Sequence, residues 1–142
     1  AVRLAHCCRP LPGDEIIGYV TRGRGVSIHR TDCLNIAHYQ QTEPDRLIEV
    51  TWGGSPGGAY QVSIEVIAMD RERLAMDIMA VMADTKTAVN GMHVGVDKKS
   101  KIATFFIKLE VKTLDHLEYI MNRIKRVKDV IEVKRMISQS KK

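Results

Sequence analysis

The six residues Gly53-Gly54-Ser55-Pro56-Gly57-Gly58 hold four glycines, a serine and a proline, a composition that favours turn and linker conformations over helix or strand. They divide the chain into a first unit over residues 1–52 and a second over 59–142, with 53–58 as the linker. The division bears hardest on the first unit. A domain of so few residues buries little apolar surface and usually depends on a metal, disulfides or a partner.

Within the first unit, Glu15 to Thr21 and Gly25 to Arg30 read as short strands either side of Arg22-Gly23-Arg24, a glycine-containing hairpin turn. Thr31 is placed to cap a short helix through Leu34, Ile36 and Ala37 to about Gln40, and Leu47 to Trp52 reads as a further strand. Past the linker, Tyr60, Val62, Ile64, Val66 and Ala68 alternate with other residues in the period of a half-buried strand. The period then becomes helical, with Leu74, Ile78, Val81 and Met82 on one face and Asp70 available as N-cap. Ala88 to Val96 and Ile102 to Val111 are strands joined by the turn Asp97-Lys98-Lys99-Ser100. A second amphipathic helix from Thr113 turns Leu114, Leu117, Met121 and Ile124 inward, and Val130 to Met136 forms the last strand. The order β-α-β-β-α-β is that of the ferredoxin-like split βαβ, an antiparallel sheet with both helices on one face. The predicted class is α+β, a small α/β module followed by a ferredoxin-like βαββαβ module.

Three cysteines, Cys7, Cys8 and Cys33, all lie in the first unit. No apolar run approaches the ~20 residues that cross a bilayer, and the first residues lack a signal-peptide pattern. The expected setting is therefore the cytoplasm, with no membrane contact. Thiols there stay reduced, and an odd count argues against a disulfide framework. His29 and Cys33, spaced H-x3-C at a strand-to-helix junction, can aim at one point. Cys7 and Cys8 precede Arg9-Pro10-Leu11-Pro12-Gly13, whose prolines favour a turn. Neighbours on a strand face opposite ways, whereas in a bent loop both can converge. Three thiolates and one imidazole compose the closed tetrahedral set of a structural zinc site; the alternative is that the cysteines are small buried hydrophobes. A catalytic zinc needs an open position, which four protein ligands fill. A nucleophilic cysteine paired with His29 has no evident orienting residue or oxyanion arrangement. His6 and His38 read as surface residues.

The net charge is +5 and unevenly spread, six basic against six acidic residues up to Gly58 and 16 against 11 beyond it. Arg123, Lys125, Arg126, Lys128, Lys141 and Lys142 hold much of the excess. They read either as a solvated helix face and terminus or as a surface that attracts nucleic acid.

The run Leu4 to Thr21, with His6-Cys7-Cys8-Arg9-Pro10-Leu11-Pro12-Gly13-Asp14 within it, is followed by Gly23-Arg24-Gly25-Val26-Ser27-Ile28-His29-Arg30 and Asp32-Cys33. Together they resemble the zinc-finger, or RIS, domain of long RelA/SpoT homologues. In that family an ACT domain of βαββαβ order follows, so the resemblance covers essentially the whole chain. It implies a regulatory fragment of a (p)ppGpp synthetase/hydrolase, or GTP pyrophosphokinase, without the catalytic pair. A start at Ala1, directly on a cysteine-bearing segment, fits a piece of a longer protein. The implied partners are the ribosome with its RNA and the parent's own catalytic domains. Arg22, Arg24 and Arg30 match the family motif or lie within it, and guanidinium groups at a glycine hairpin can approach phosphates closely; otherwise they solubilise a turn. The resemblance also implies an amino-acid site at Met69, Asp70, Arg71, Glu72, Arg73 and Leu74, with a branched-chain amino acid as ligand and a homodimer as assembly. Many ligand-binding relatives have glycine just before the helix's first leucine, where this chain has Arg73, which weighs against that site.

No nucleotide loop, catalytic carboxylate cluster or metal-phosphate site is recognisable in the sequence. The purified chain is therefore expected to be no enzyme, and incubation with GTP, ATP or ppGpp should give no product above buffer. Measurable turnover would overturn this expectation.

Overall fold

The computed structural model describes residues 2–23, 25–53 and 59–136. Arg24, most of the glycine-rich stretch and the terminal Lys141 and Lys142 lie outside the described residues. The described residues belong to two compact units, one before the linker's end at Gly58 and one from Ala59 to Met136.

The first unit runs β1 (Val2–Leu4), β2 (Ile16–Thr21), β3 (Gly25–Arg30), α1 (Leu34–Thr42), a 3-10 turn (Pro44–Arg46) and β4 (Leu47–Glu49). Its sheet has the order β1-β3-β2-β4, with β1 parallel to β3 and the other pairs antiparallel. The hairpin register pairs Ile16 with Arg30 and Thr21 with Gly25. Gly23 and Gly25 adopt φ of 78° and 86° at its turn, where glycine carries no Cβ penalty. Strand β1 is too short to show a sequence period and was not expected. The expected strand Leu47 to Trp52 ends at Glu49, and Trp52 instead donates from Nε1 to the Asp14 carbonyl at 3.0 Å. Thr31 does not cap the helix. Its amide bonds to the Glu15 carbonyl at 3.0 Å and prolongs the hairpin, so Cys33 takes the N-cap position.

The second unit runs β5 (Tyr60–Met69), α2 (Leu74–Asp84), β6 (Ala88–Asp97), β7 (Ile102–Val111), α3 (Leu114–Lys125) and β8 (Val130–Arg135). The antiparallel sheet order is β6-β7-β5-β8, which is the predicted ferredoxin-like arrangement. Val62, Ile64, Val66 and Ala68 of β5 lie opposite Leu109, Ile107, Phe105 and Ala103 of β7, and all eight are buried. Leu74, Ile78, Val81 and Met82 from α2 join Leu117, Ile120 and Ile124 from α3 in the same core. Ile120 rather than Met121 is the fully buried residue of that turn, since Met121 stays half-buried. The α2 cap also differs from expectation. The Asp70 amide bonds to the Lys101 carbonyl at 2.8 Å, and the helix starts only after Arg73, whose φ is 68°. At α3 the expected start at Thr113 agrees with the structure, and Thr113 Oγ1 caps the helix by accepting the His116 amide at 3.1 Å. Among the described residues no helix is long and apolar enough to cross a membrane.

The two units are stabilised differently. A fully buried large apolar side chain contributes ~1.5–3 kcal/mol, and the second unit has more than a dozen such residues. The first unit has Leu11, Ile28 and Ile36 beside two cysteines. Its packing is correspondingly intolerant. A Cβ at Gly18 in β2 would stand 3.0 Å from the Cγ1 atoms of Ile48, Val26 and Val50 at once. Gly18→Val is expected to cost the first unit ~1–3 kcal/mol by overpacking, read from the fluorescence of the single tryptophan, Trp52, during denaturant unfolding. An unchanged midpoint would show that these side chains have room to move.

Candidate metal centre

After β1 the Arg9 amide donates to the Ala5 carbonyl at 3.1 Å, closing one turn with helical spacing. Successive side chains in such a turn diverge by ~100° rather than the ~180° of a strand, so Cys7 and Cys8 face the same region. Arg9 leaves the turn at φ 48°. A tight reversal follows at Pro12 and Gly13, where the Leu11 amide meets Asp14 Oδ2 at 2.7 Å and the Asp14 amide meets the Leu11 carbonyl at 2.8 Å.

Strand β3 places Ser27 and His29 on one face, two residues apart, and Cys33 follows at the start of α1. Cys7 Sγ lies 3.4 Å from His29 Nδ1 and 3.5 Å from Cys33 Sγ. Cys8 Sγ and Cys33 Sγ lie 3.8 Å and 3.6 Å from the same nitrogen. All four potential ligand atoms fall within 4.8 Å of one another. Cys8, His29 and Cys33 are buried and Cys7 is half-buried. Ile36, Ala5, Ile17, Tyr39 and Leu47 pack around them.

The four groups share their protons unevenly. Hydrogen bonds from Cys7 and Cys8 hold the Cys33 thiol far below its ordinary range, whereas the hydrogen bonds to Cys33 and Cys7, with burial, push the Cys8 thiol up. Burial disfavours the His29 imidazolium, but hydrogen bonds to Cys33 and Cys7 outweigh it and push the pKa up to about 9. The centre therefore favours positive charge, supplied by protons or by a metal ion that displaces them. The Arg30 amide donates to Cys8 Sγ at 3.3 Å, adding support for anionic sulfur. These residues can hold a metal ion.

The other predicted site residues are scattered. Arg22 is exposed at the β2–β3 tip, and Arg24 lies outside the described residues. Arg30 differs from Arg22. Its side chain is only 12% exposed, pairs with Asp32, and buries a second guanidinium nitrogen that has no hydrogen-bond partner, so it is not presented to the outside. His6 and His38 are exposed and stand apart from the cluster. In the segment Met69 to Leu74, Arg71 reaches Asp77 Oδ2 and Asp129 Oδ2 at 2.9 Å and the Lys128 carbonyl at 3.0 Å. Arg71 thus ties the loop to α2 and to the turn before β8. Asp129 and Ser27 carried no sequence signal, because their partners are set by strand register and loop approach rather than by spacing.

Residues 1–53 match the RelA/SpoT RIS domain, and residues 56–135 match the ACT domain. The chain is 39% identical over 133 residues to a GTP pyrophosphokinase of Haemophilus influenzae and 37% identical to one of Escherichia coli, in both cases over 94% of this chain and 18% of the relative. A bifunctional (p)ppGpp synthase/hydrolase RelA of Mycobacterium tuberculosis is 41% identical over 136 residues, 96% of this chain and 18% of that protein. The chain thus spans less than a fifth of the length of these relatives. The crystal structure of the ACT domain from a GTP pyrophosphokinase of Chlorobium tepidum shares the fold, with a TM-score of 0.50 at 22% identity over 56% of this chain and 100% of that one. The chain therefore belongs to the ACT domain family and, with a RelA/SpoT RIS domain ahead of the ACT domain, corresponds to the C-terminal region of RelA/SpoT GTP pyrophosphokinases.

Proposed function

We propose that this chain is the regulatory part of a (p)ppGpp synthetase or hydrolase, in which a zinc-braced RIS module presents an arginine hairpin to ribosomal RNA. The observation that carries the reading is the four-ligand cluster at one end of β3, whose other end is the Arg22-bearing hairpin. Four of the separations among the ligand atoms are close to the edges of a zinc tetrahedron, which supports this reading. Zn–S bonds of ~2.3 Å and a Zn–N bond of ~2.0–2.1 Å in a tetrahedron give S···N edges of ~3.6 Å and S···S edges of ~3.8 Å. The observed S···N separations are 3.4, 3.8 and 3.6 Å, and the Cys7–Cys33 separation is 3.5 Å. Four protein ligands leave no position for water, so such a zinc is structural.

Bracing would add a tie at the far end of β3 in a unit with few buried apolar residues. With β3 fixed at His29, an exposed guanidinium at the tip can bond phosphate oxygens in bidentate fashion without first ordering its backbone. Recognition by phosphate contact is salt-dependent and reads shape rather than base sequence. Docking of this kind would report ribosome state to the parent's catalytic domains.

Metal analysis of the purified chain should give about one zinc ion per chain. Cys33→Ser should lower that content and collapse the NMR dispersion of residues before the linker, while signals from Ala59 to Met136 keep their positions. A metal-free wild type that is fully ordered and indifferent to added zinc would refute the zinc site. Replacing Arg22 and Arg24 together by Ala should weaken co-sedimentation with ribosomes and flatten the plot of log affinity against log salt by about one unit for each phosphate no longer bound. Identical affinity and slope across the salt series would remove the RNA role from this hairpin.

A further inference from the structure

Ser27 has no place in the ligand set, yet it is 6% exposed in the central strand of a four-stranded sheet. Its backbone is fixed on both sides, opposite Arg3 of β1 and Tyr19 of β2. Such a position ordinarily favours a β-branched or aromatic residue. A hydroxyl there costs stability unless it is hydrogen-bonded, and its oxygen lies 3.0 Å from His29 Nε2. The other ring nitrogen, Nδ1, is the one within 3.4–3.8 Å of all three sulfurs.

These two contacts divide the imidazole's tasks. A neutral imidazole has one lone pair and one N–H. If Nδ1 gives its lone pair to a metal, Nε2 must carry the proton, and a buried N–H needs an acceptor. We infer that Ser27 is the positioning residue of the metal centre: its hydroxyl oxygen accepts the Nε2–H of His29, which selects the tautomer that ligates through Nδ1 and fixes the ring plane. The inference rests on the metal reading of the cluster. The two residues are on one face of one strand, so the strand's pleat sets their spacing.

The test compares Ser27→Thr with Ser27→Val in the full chain, because these two side chains share an outline and differ in the hydroxyl. Zinc affinity is measured by competition with a chromophoric chelator, and histidine tautomers are read from long-range proton–nitrogen NMR of the zinc-loaded protein. The wild type and Ser27→Thr should show Nε2 protonated with slow exchange of its proton and Nδ1 shifted by the metal. Ser27→Val should bind zinc ~10–100-fold more weakly, as losses of outer-shell partners do, with faster Nε2–H exchange. Ser27→Ala provides the same comparison if the larger side chains do not fit. Zinc held through Nε2, or equal affinity and exchange with and without the hydroxyl, would overturn the role of Ser27 and leave the metal site standing. A wild type that takes up no zinc would instead defeat the metal reading itself.

Discussion

The meeting of Cys7, Cys8, His29 and Cys33 is the contact on which the first unit depends. It joins the turn after β1, the end of β3 and the start of α1, three segments with few other ties. The cysteines also form part of the core, since Cys8 and Cys33 are buried with Ile36 and flanked by Ile17, Tyr39 and Leu47. The atoms that could hold a metal ion are thus also packing atoms of the core.

The second unit has solved the problem of stability in the ordinary way. Alternating residues of β5 and β7 meet apolar faces of α2 and α3, and the unit needs no centre. Its special chemistry lies at the edge, where Arg71 links the loop before α2 to Asp77 and to the Lys128-Asp129 turn before β8. The position before Leu74 has φ 68°, a conformation glycine adopts freely, and Arg73 accepts it here.

How far the fold was legible varied with the range of the interaction. Thr113 could be read as the start of α3, where its hydroxyl and the His116 amide lie within one turn. Thr31 and Asp70 have the same chemistry, but their amides were claimed by Glu15 and Lys101, remote in sequence, and the helices began later. Ile120 and Met121 are adjacent apolar residues, and only the angle at which α3 meets the sheet chose which of them to bury. Arg30 looked like Arg22 in the sequence, but its side chain is mostly covered and pairs with the exposed Asp32.

The sequence by itself determined the βαββαβ order and the identity of the four possible ligands, because strand and helix periods and the supply of sulfur and imidazole are properties of residues and their spacing. Only the tertiary structure decided that Cys7 and Cys8 point the same way, that Nδ1 faces the sulfurs while Nε2 faces Ser27, and that Arg71 closes its own loop. The first rests on a local turn closed between Arg9 and Ala5, and the others on the approach of segments separated by many residues. A local pattern carries no information about such an approach, since it is set by sheet register and by which side chains win the few buried positions.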